Sequence, residues 1–205
     1  MTATEQSTKQ KIVATALDLF SIHGFTTVSV RDICKIVGIK ESSLYYHFRN
    51  KEQILHTILH EAEQQTEILK LNFVNELNAQ EKIEQASFVY AGVWYLEQYL
   101  LEDNMYKLIR MLTIEKQRNE QAAALYHKLL FTWPLEHQEQ VFRYMMMSSL
   151  IEQDNAYVLA AEYQSLILFV FHKYFAGCEE ITATITAAAK QELMMLLERF
   201  YNRYL

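Results

Sequence analysis

Residues 11–55, KIVATALDLFSIHGFTTVSVRDICKIVGIKESSLYYHFRNKEQIL, constrain the fold more than any other part of the chain. Ile12, Val13, Ala16, Leu17, Leu19 and Phe20 recur at three-to-four-residue spacing, which predicts a first amphipathic helix from about Gln6 to His23. Gly24 follows where a left-handed cap is expected, and Phe25 can fold back on the stripe as the apolar contact of that cap. Ser29 and Asp32 have the serine-x-x-acid spacing of a capping box, so a second helix starts there. Val30, Ile33, Ile36 and Val37 would form its buried face, and Gly38 ends it. A third helix is expected over about Glu41 to Phe48, with Leu44 and Phe48 directed to the same core. A fourth begins near Lys51.

The third helix has only two strong core residues, so stability alone gives it little reason to exist. Ser42, Ser43, Tyr45, Tyr46 and His47 remain on or near its outward side. Hydroxyls can donate to phosphates, and tyrosine rings can meet thymine methyl groups. The arrangement is that of a helix-turn-helix with a face suited to a DNA groove. Arg31, in the first turn of the second helix, and Lys51 could both reach a phosphate or a guanine edge.

The pattern AlxLFxxxGFxxxSVxDIxxxxGIxxxSLYYHFxNKExIL resembles the N-terminal domain of the TetR family of bacterial transcriptional repressors. It is carried by Ala16, Leu17, Phe20, Gly24, Phe25, Ser29, Val30, Ile33, Gly38, Ile39, Leu44, Tyr45, Tyr46, His47, Phe48, Lys51 and Glu52, and spans about a quarter of the chain. The resemblance implies DNA contacts from Ser29 and Arg31 and from Ser42, Ser43, Tyr45, Tyr46 and His47 of the recognition helix; Lys40, just before that helix, is a further expected DNA contact. The resemblance also implies a phosphate clamp at Lys51. The family often has Ser or Thr where Lys40 stands, Lys at Glu41 and Gly at Ser42. Glu41 then either favours the positive end of the helix or accepts from a cytosine amino group.

Charge divides along the same line. Residues 1–55 hold 7 Lys and Arg against 5 Asp and Glu, a net of +2, whereas the rest hold 12 against 20, a net of −8. The basic character sits with the helix-turn-helix, as a DNA-contacting footprint should. Four glycines, one proline and a hydrophobic fraction of 51% in 205 residues predict an all-α protein. Its organisation is a helix-turn-helix DNA-binding domain over 1–52, joined by a continuous helix to a larger helical ligand-binding and dimerisation domain over 53–205. The coupling helix reads from Lys51 to about Leu77, and further helices read at roughly 81–101, 104–117, 119–131, 135–151, 155–176 and 183–204, with a break at Trp133-Pro134. Cys34 and Cys178 lack metal or CxxC spacing, the N-terminal MTATEQSTKQ lacks an apolar core, and the longest apolar run is Leu166 to Phe171. A cytoplasmic protein without membrane association is expected.

The C-terminal part is rich in large soft side chains. Trp94, Met111, Tyr126, Phe131, Trp133 and Met145 are candidates to line a cavity for a small apolar or amphipathic effector, a site the resemblance also implies. A solid core is the alternative reading of the same residues. Glu97, Glu115 and His127 could orient a polar group. Ala160, Tyr163, Ile167 and Phe171 on one late helix and Leu193 and Leu197 on the next mark the expected homodimer interface, built as a four-helix bundle. Such a dimer reads a palindromic operator with recognition helices one helical turn apart. The function expected is a ligand-released repressor. The competing readings are a DNA-binding regulator without a small ligand and, more remotely, a metal-dependent helical enzyme. His56 and His60 have metal-pair spacing but no third ligand, and no catalytic group, cofactor or resident metal is expected.

Overall fold

The computed structural model describes residues 7–62, 64, 84–178 and 180–205, and every regular element among them is helical. These residues fall into two units of dense internal packing. The first holds α1 (Thr8–His23), α2 (Val30–Val37), α3 (Glu41–His47), α4 (helical over 51–62) and, from further along the chain, α6 (Asp103–Glu115). The second holds α5 (Gln85–Tyr95), α8 (Trp133–Met147), α9 (Ala156–Phe175) and α10 (Ala183–Tyr204). Between α6 and α8 runs α7 (Glu120–His127). The expected continuation of the coupling helix to Leu77 lies outside the described residues.

Local chemistry explains the helix boundaries of the first unit. Ser7 and Gln10 form a reciprocal capping box at α1, and Ser29 and Asp32 form another at α2. Ile12, Ala16 and Phe20 of α1 are fully buried with Ile33, Leu44 and Ile54, which draws α1 to α4 around one core. Two expectations change. Gly24 has a positive φ of 78° with an extended ψ of 155°, a region open to glycine alone, instead of the left-handed helical cap. Ile36 is 61% exposed, and Cys34 is buried in its place. At 100° per residue, Val30, Ile33, Cys34 and Val37 share one arc of α2, and Ile36 falls outside it.

The second unit closes on an aromatic cluster. Phe88 meets Tyr163 edge-on at 5.2 Å between ring centres and stacks on Phe200 at 5.8 Å, while Phe142 lies 6.1 Å from Tyr163. Gly92 admits this packing. A Cβ there would lie 2.4 Å from Leu197 Cδ1 and 2.8 Å from Tyr163 Oη.

No helix break occurs at Trp133-Pro134. Instead α7 runs through a π-helical turn, Lys128–Thr132, directly into α8, and Trp133 itself is helical. Proline lacks an N–H, so the carbonyls four and five residues before it lose a backbone donor. Side chains supply the missing donors. Gln164 Nε2 donates to Leu130 O at 2.9 Å, and Tyr99 Oη donates to Leu129 O at 3.4 Å. The wider π turn and these two bonds let the chain carry proline through a continuous helix.

The helix faces also reassign the expected dimer residues. Ala160, Tyr163, Ile167, Phe171, Leu193 and Leu197 are all buried within the single chain, where α9 and α10 pack on each other and on α5 and α8. A helix in such a bundle has an inner and an outer stripe, and apolar periodicity marked the inner one. The outer stripes are softer: Val158, Ser165 and Phe169 on α9, and Ala187, Gln191, Met194 and Met195 on α10.

Candidate nucleic-acid interface

The recognition helix is held from beneath and left open above. Leu44 and Phe48 are buried, while Ser42, Ser43, Tyr45 and Tyr46 are exposed, Tyr46 to 86% and Tyr45 to 50%. His47 is half-buried and packs edge-on against Tyr46 at 5.2 Å. Lys40 occupies the N-cap position but makes no side-chain cap bond, so nothing in the cap ties its ammonium down. The face thus carries hydroxyls, an imidazole and a lysine, all polar groups that a groove can satisfy.

The two contacts expected from α2 differ in their commitments. The Ser29 hydroxyl donates to Asp32 Oδ2 at 2.6 Å and accepts from Asp32 N at 3.3 Å. That side-chain bond, with a second from the Ser29 backbone N–H, lowers the pKa of the Asp32 carboxyl. Ser29 is therefore engaged as a cap. Arg31 is 83% exposed in its side chain and donates from Nε to Glu41 Oε1 at 2.9 Å.

Lys51 departs furthest from the expectation of a phosphate clamp. Its ammonium donates to Phe25 O at 2.6 Å, Val28 O at 2.7 Å and Thr26 O at 3.5 Å, and lies 4.3 Å from the centre of the Phe25 ring. An ammonium has three donors, and here all three point at the turn between α1 and α2. Charge-assisted bonds to carbonyls that helix N–H groups cannot reach outweigh solvation of the lysine head. Lys51→Ala is accordingly expected to cost about 1.5–3 kcal/mol of stability. It should leave the salt dependence of DNA binding unchanged. A salt slope flatter by about one unit, with stability retained, would restore Lys51 to the phosphate.

The same turn is held from a second side, which sequence reading did not anticipate. Glu115, at the end of α6, is buried and accepts from Thr26 Oγ1 at 3.4 Å. Its Oε1 stands 2.8 Å from where a Cβ on Gly24 would be. Earlier along α6, Lys107 pairs with Asp18 of α1 at 2.6 Å and with Asp103 at 2.7 Å. Burial works against that ammonium, but the two carboxylates outweigh it and raise its pKa. The residues involved are spread from position 18 to 115, so no local motif could reveal them. Among the other polar candidates, Glu97 pairs with Lys190 at 2.9 Å, and His127 is exposed.

The expected effector residues are distributed between the units. Met111 belongs to the first, and Trp94, Tyr126, Phe131, Trp133 and Met145 to the second. Met111, Tyr126, Trp133 and Met145 are buried, and Trp94 and Phe131 half-buried. The second unit also buries polar groups that were not anticipated. Gln138 Nε2 donates to Gln164 Oε1 at 2.7 Å, while Gln138 Oε1 and Tyr95 Oη are buried without a hydrogen bond of ordinary geometry. Burial, with Tyr99 close by, pushes the Tyr95 phenol well above its usual pKa, so it stays a neutral hydroxyl. Among the described residues no group of three or more His, Cys, Asp or Glu side chains could hold a metal, and no helix is long and apolar enough to cross a membrane.

Residues 12–58 match the family described as bacterial regulatory proteins, tetR family. Over 46 residues the chain is 50% identical to the biofilm operon icaADBC negative transcriptional regulator IcaR of Staphylococcus epidermidis, a match covering 22% of this chain and 25% of that protein. Over these residues the chain carries the helix-turn-helix domain of the tetR family. The match therefore spans only about a quarter of the curated relatives' length. The fold likeness reaches much further along the chain than this match. A TetR-family transcriptional regulator from Mesorhizobium loti superposes with a TM-score of 0.71 at 17% identity, covering 96% of each chain. SmeT in complex with triclosan gives a TM-score of 0.65 at 16% identity, covering 98% of this chain and 92% of that one. At such identities the likeness concerns the all-α fold: a helix-turn-helix DNA-binding domain with a larger helical part. The family and the relatives it includes are transcriptional regulators, not enzymes.

Proposed function

We propose that this TetR-family regulator is a homodimeric repressor. It binds a palindromic operator through α3 and leaves it when a small apolar or amphipathic effector binds in the C-terminal part. One observation carries the DNA reading: α3 is anchored by Leu44 and Phe48 and leaves Ser42, Ser43, Tyr45 and Tyr46 exposed on an otherwise well-packed unit. Repression is supported by IcaR, a negative regulator, whose helix-turn-helix is the part this chain matches. The protein would act in the cytoplasm, where its DNA is.

Two copies are proposed to meet through the outer stripes of α9 and α10. A dimer places two recognition helices on one duplex face, roughly 34–36 Å apart. For the effector, Trp94, Phe131 and their neighbours offer apolar surface, and Tyr95 Oη and Gln138 Oε1 offer a neutral donor and acceptor. The complex of SmeT with triclosan supports an effector of that chemistry. The second reading, a DNA-binding regulator without a small ligand, is favoured by the burial of Met111 and Met145 to 1% each.

The test is selection of the full chain against a randomised duplex library. An inverted repeat with half-site centres one helical turn apart is the expected result, with Tyr46→Ala and Ser43→Ala each weakening its binding by about 1–2 kcal/mol. Failure to enrich any duplex would sink the DNA reading. Titration of the selected duplex with triclosan and related apolar phenols then addresses the effector. A ligand that releases DNA must itself bind less well to the DNA-bound protein, by the same factor.

A further inference from the structure

We propose that Glu41 is a positioning residue for sequence recognition: its carboxylate holds the Arg31 guanidinium across the mouth of the helix-turn-helix so that Arg31 reads one guanine. This rests on the reading that the open face of α2 and α3 binds DNA. The two residues are ten apart in sequence, one in the first turn of α2 and the other at the first position of α3. They are joined by the 2.9 Å bond from Arg31 Nε to Glu41 Oε1.

The pair is exposed, 83% and 43% by side chain, so it adds little to folding. Its larger consequence is geometric. A guanidinium is a rigid planar fork, and a bond to Nε fixes the direction of the whole plane. With Nε committed, Nη1 and Nη2 remain for an acceptor pair, and guanine offers such a pair in O6 and N7 in the major groove. A side chain already ordered before binding also loses less rotamer freedom on the DNA. The carboxylate itself repels nearby phosphates, so it lowers affinity for every duplex while Arg31 partly neutralises it.

These two consequences move in opposite directions. Removing the charge of Glu41 strengthens binding to random DNA, whereas releasing Arg31 weakens discrimination at one base pair. Neither damage to the fold nor a plain charge effect produces both. The experiment uses the full chain, the duplex selected from the randomised library, every single-base variant of its half-site, and a random duplex. Arg31→Ala should flatten the preference for one guanine, on the order of tenfold. Glu41→Gln should flatten the same position by about three- to tenfold and bind the random duplex more tightly. Glu41→Asp keeps the charge but loses reach, so it should flatten that position without the gain on random DNA. The variant carrying both Arg31→Ala and Glu41→Gln should discriminate no worse than Arg31→Ala alone.

A base profile unchanged by Glu41→Gln, with the guanine preference lost in Arg31→Ala, overturns the role of Glu41 and leaves Arg31 as a reader. Flattening at a different base pair also overturns it, because Glu41 would then read DNA independently, as at a cytosine amino group. If Arg31→Ala changes no base preference while the duplex stays bound, the proposal fails and the DNA reading stands. If the unaltered chain selects no duplex, both fall together.

Discussion

Replacing Phe171 and Leu193 together by glutamate is expected to unfold the second unit, not to separate two intact subunits. Phe171 is 3% exposed and Leu193 not at all, with α9 and α10 packed against each other around them. Each substitution removes about 1.5–3 kcal/mol of apolar burial. Each also places a carboxylate where it must be neutralised or drag the structure open, at a further cost of several kcal/mol. Two such changes together are comparable to the roughly 5–15 kcal/mol by which a domain of this size is stable. The contrasting pair is Phe169→Glu with Met195→Glu, at side chains 52% and 59% exposed. That variant should keep its helical content and melting temperature within a few degrees, yet become monomeric and lose operator affinity. Circular dichroism and light scattering on both variants decide the matter. A folded monomer from the Phe171 and Leu193 pair would return the interface to the inner stripe. A dimer that survives the Phe169 and Met195 changes would remove these outer stripes from the assembly.

Gly24→Ala should be the most damaging single methyl addition in the first unit. Alanine is strained at φ 78°, ψ 155°, and its Cβ would sit 2.8 Å from Glu115 Oε1 and 3.0 Å from Ile114 Cγ2. Backbone strain and overpacking together predict a loss of about 2–5 kcal/mol in denaturant unfolding. DNA binding should fall further than stability alone explains, because the turn that follows Gly24 sets the start of α2. Combining Gly24→Ala with Glu115→Ala separates the causes. The steric share should be relieved while the backbone share persists, so the double variant should be more stable than the sum of the single losses. Gly24→Ala with wild-type unfolding would refute this account of the turn.

Much of the DNA-facing unit was legible in the residues themselves. The capping box at Ser29 and the apolar spacing through Ile12, Ala16 and Phe20 act over three or four residues, so a linear reading finds them. The open face of α3 followed by subtraction, once Leu44 and Phe48 were assigned to the core. Arg31 and Glu41 could each be placed on its helix, but their bond required the angle between α2 and α3.

What the sequence by itself determined was therefore the helices, their inner stripes and the class of surface on α3, because these depend on period and local hydrogen bonding. The tertiary structure alone decided which groups were already spoken for. Lys51 is a cation near a DNA-binding face in any linear reading, yet three carbonyl oxygens 23 to 26 residues earlier claim its donors. Pro134 signals a helix end until Gln164 and Tyr99 supply the donors that its ring removes. Apolar stripes on α9 and α10 cannot announce whether they face their own chain or a second copy, since both surroundings exclude water equally well. Burial in three dimensions makes that distinction, because it depends on which neighbours reach the stripe first.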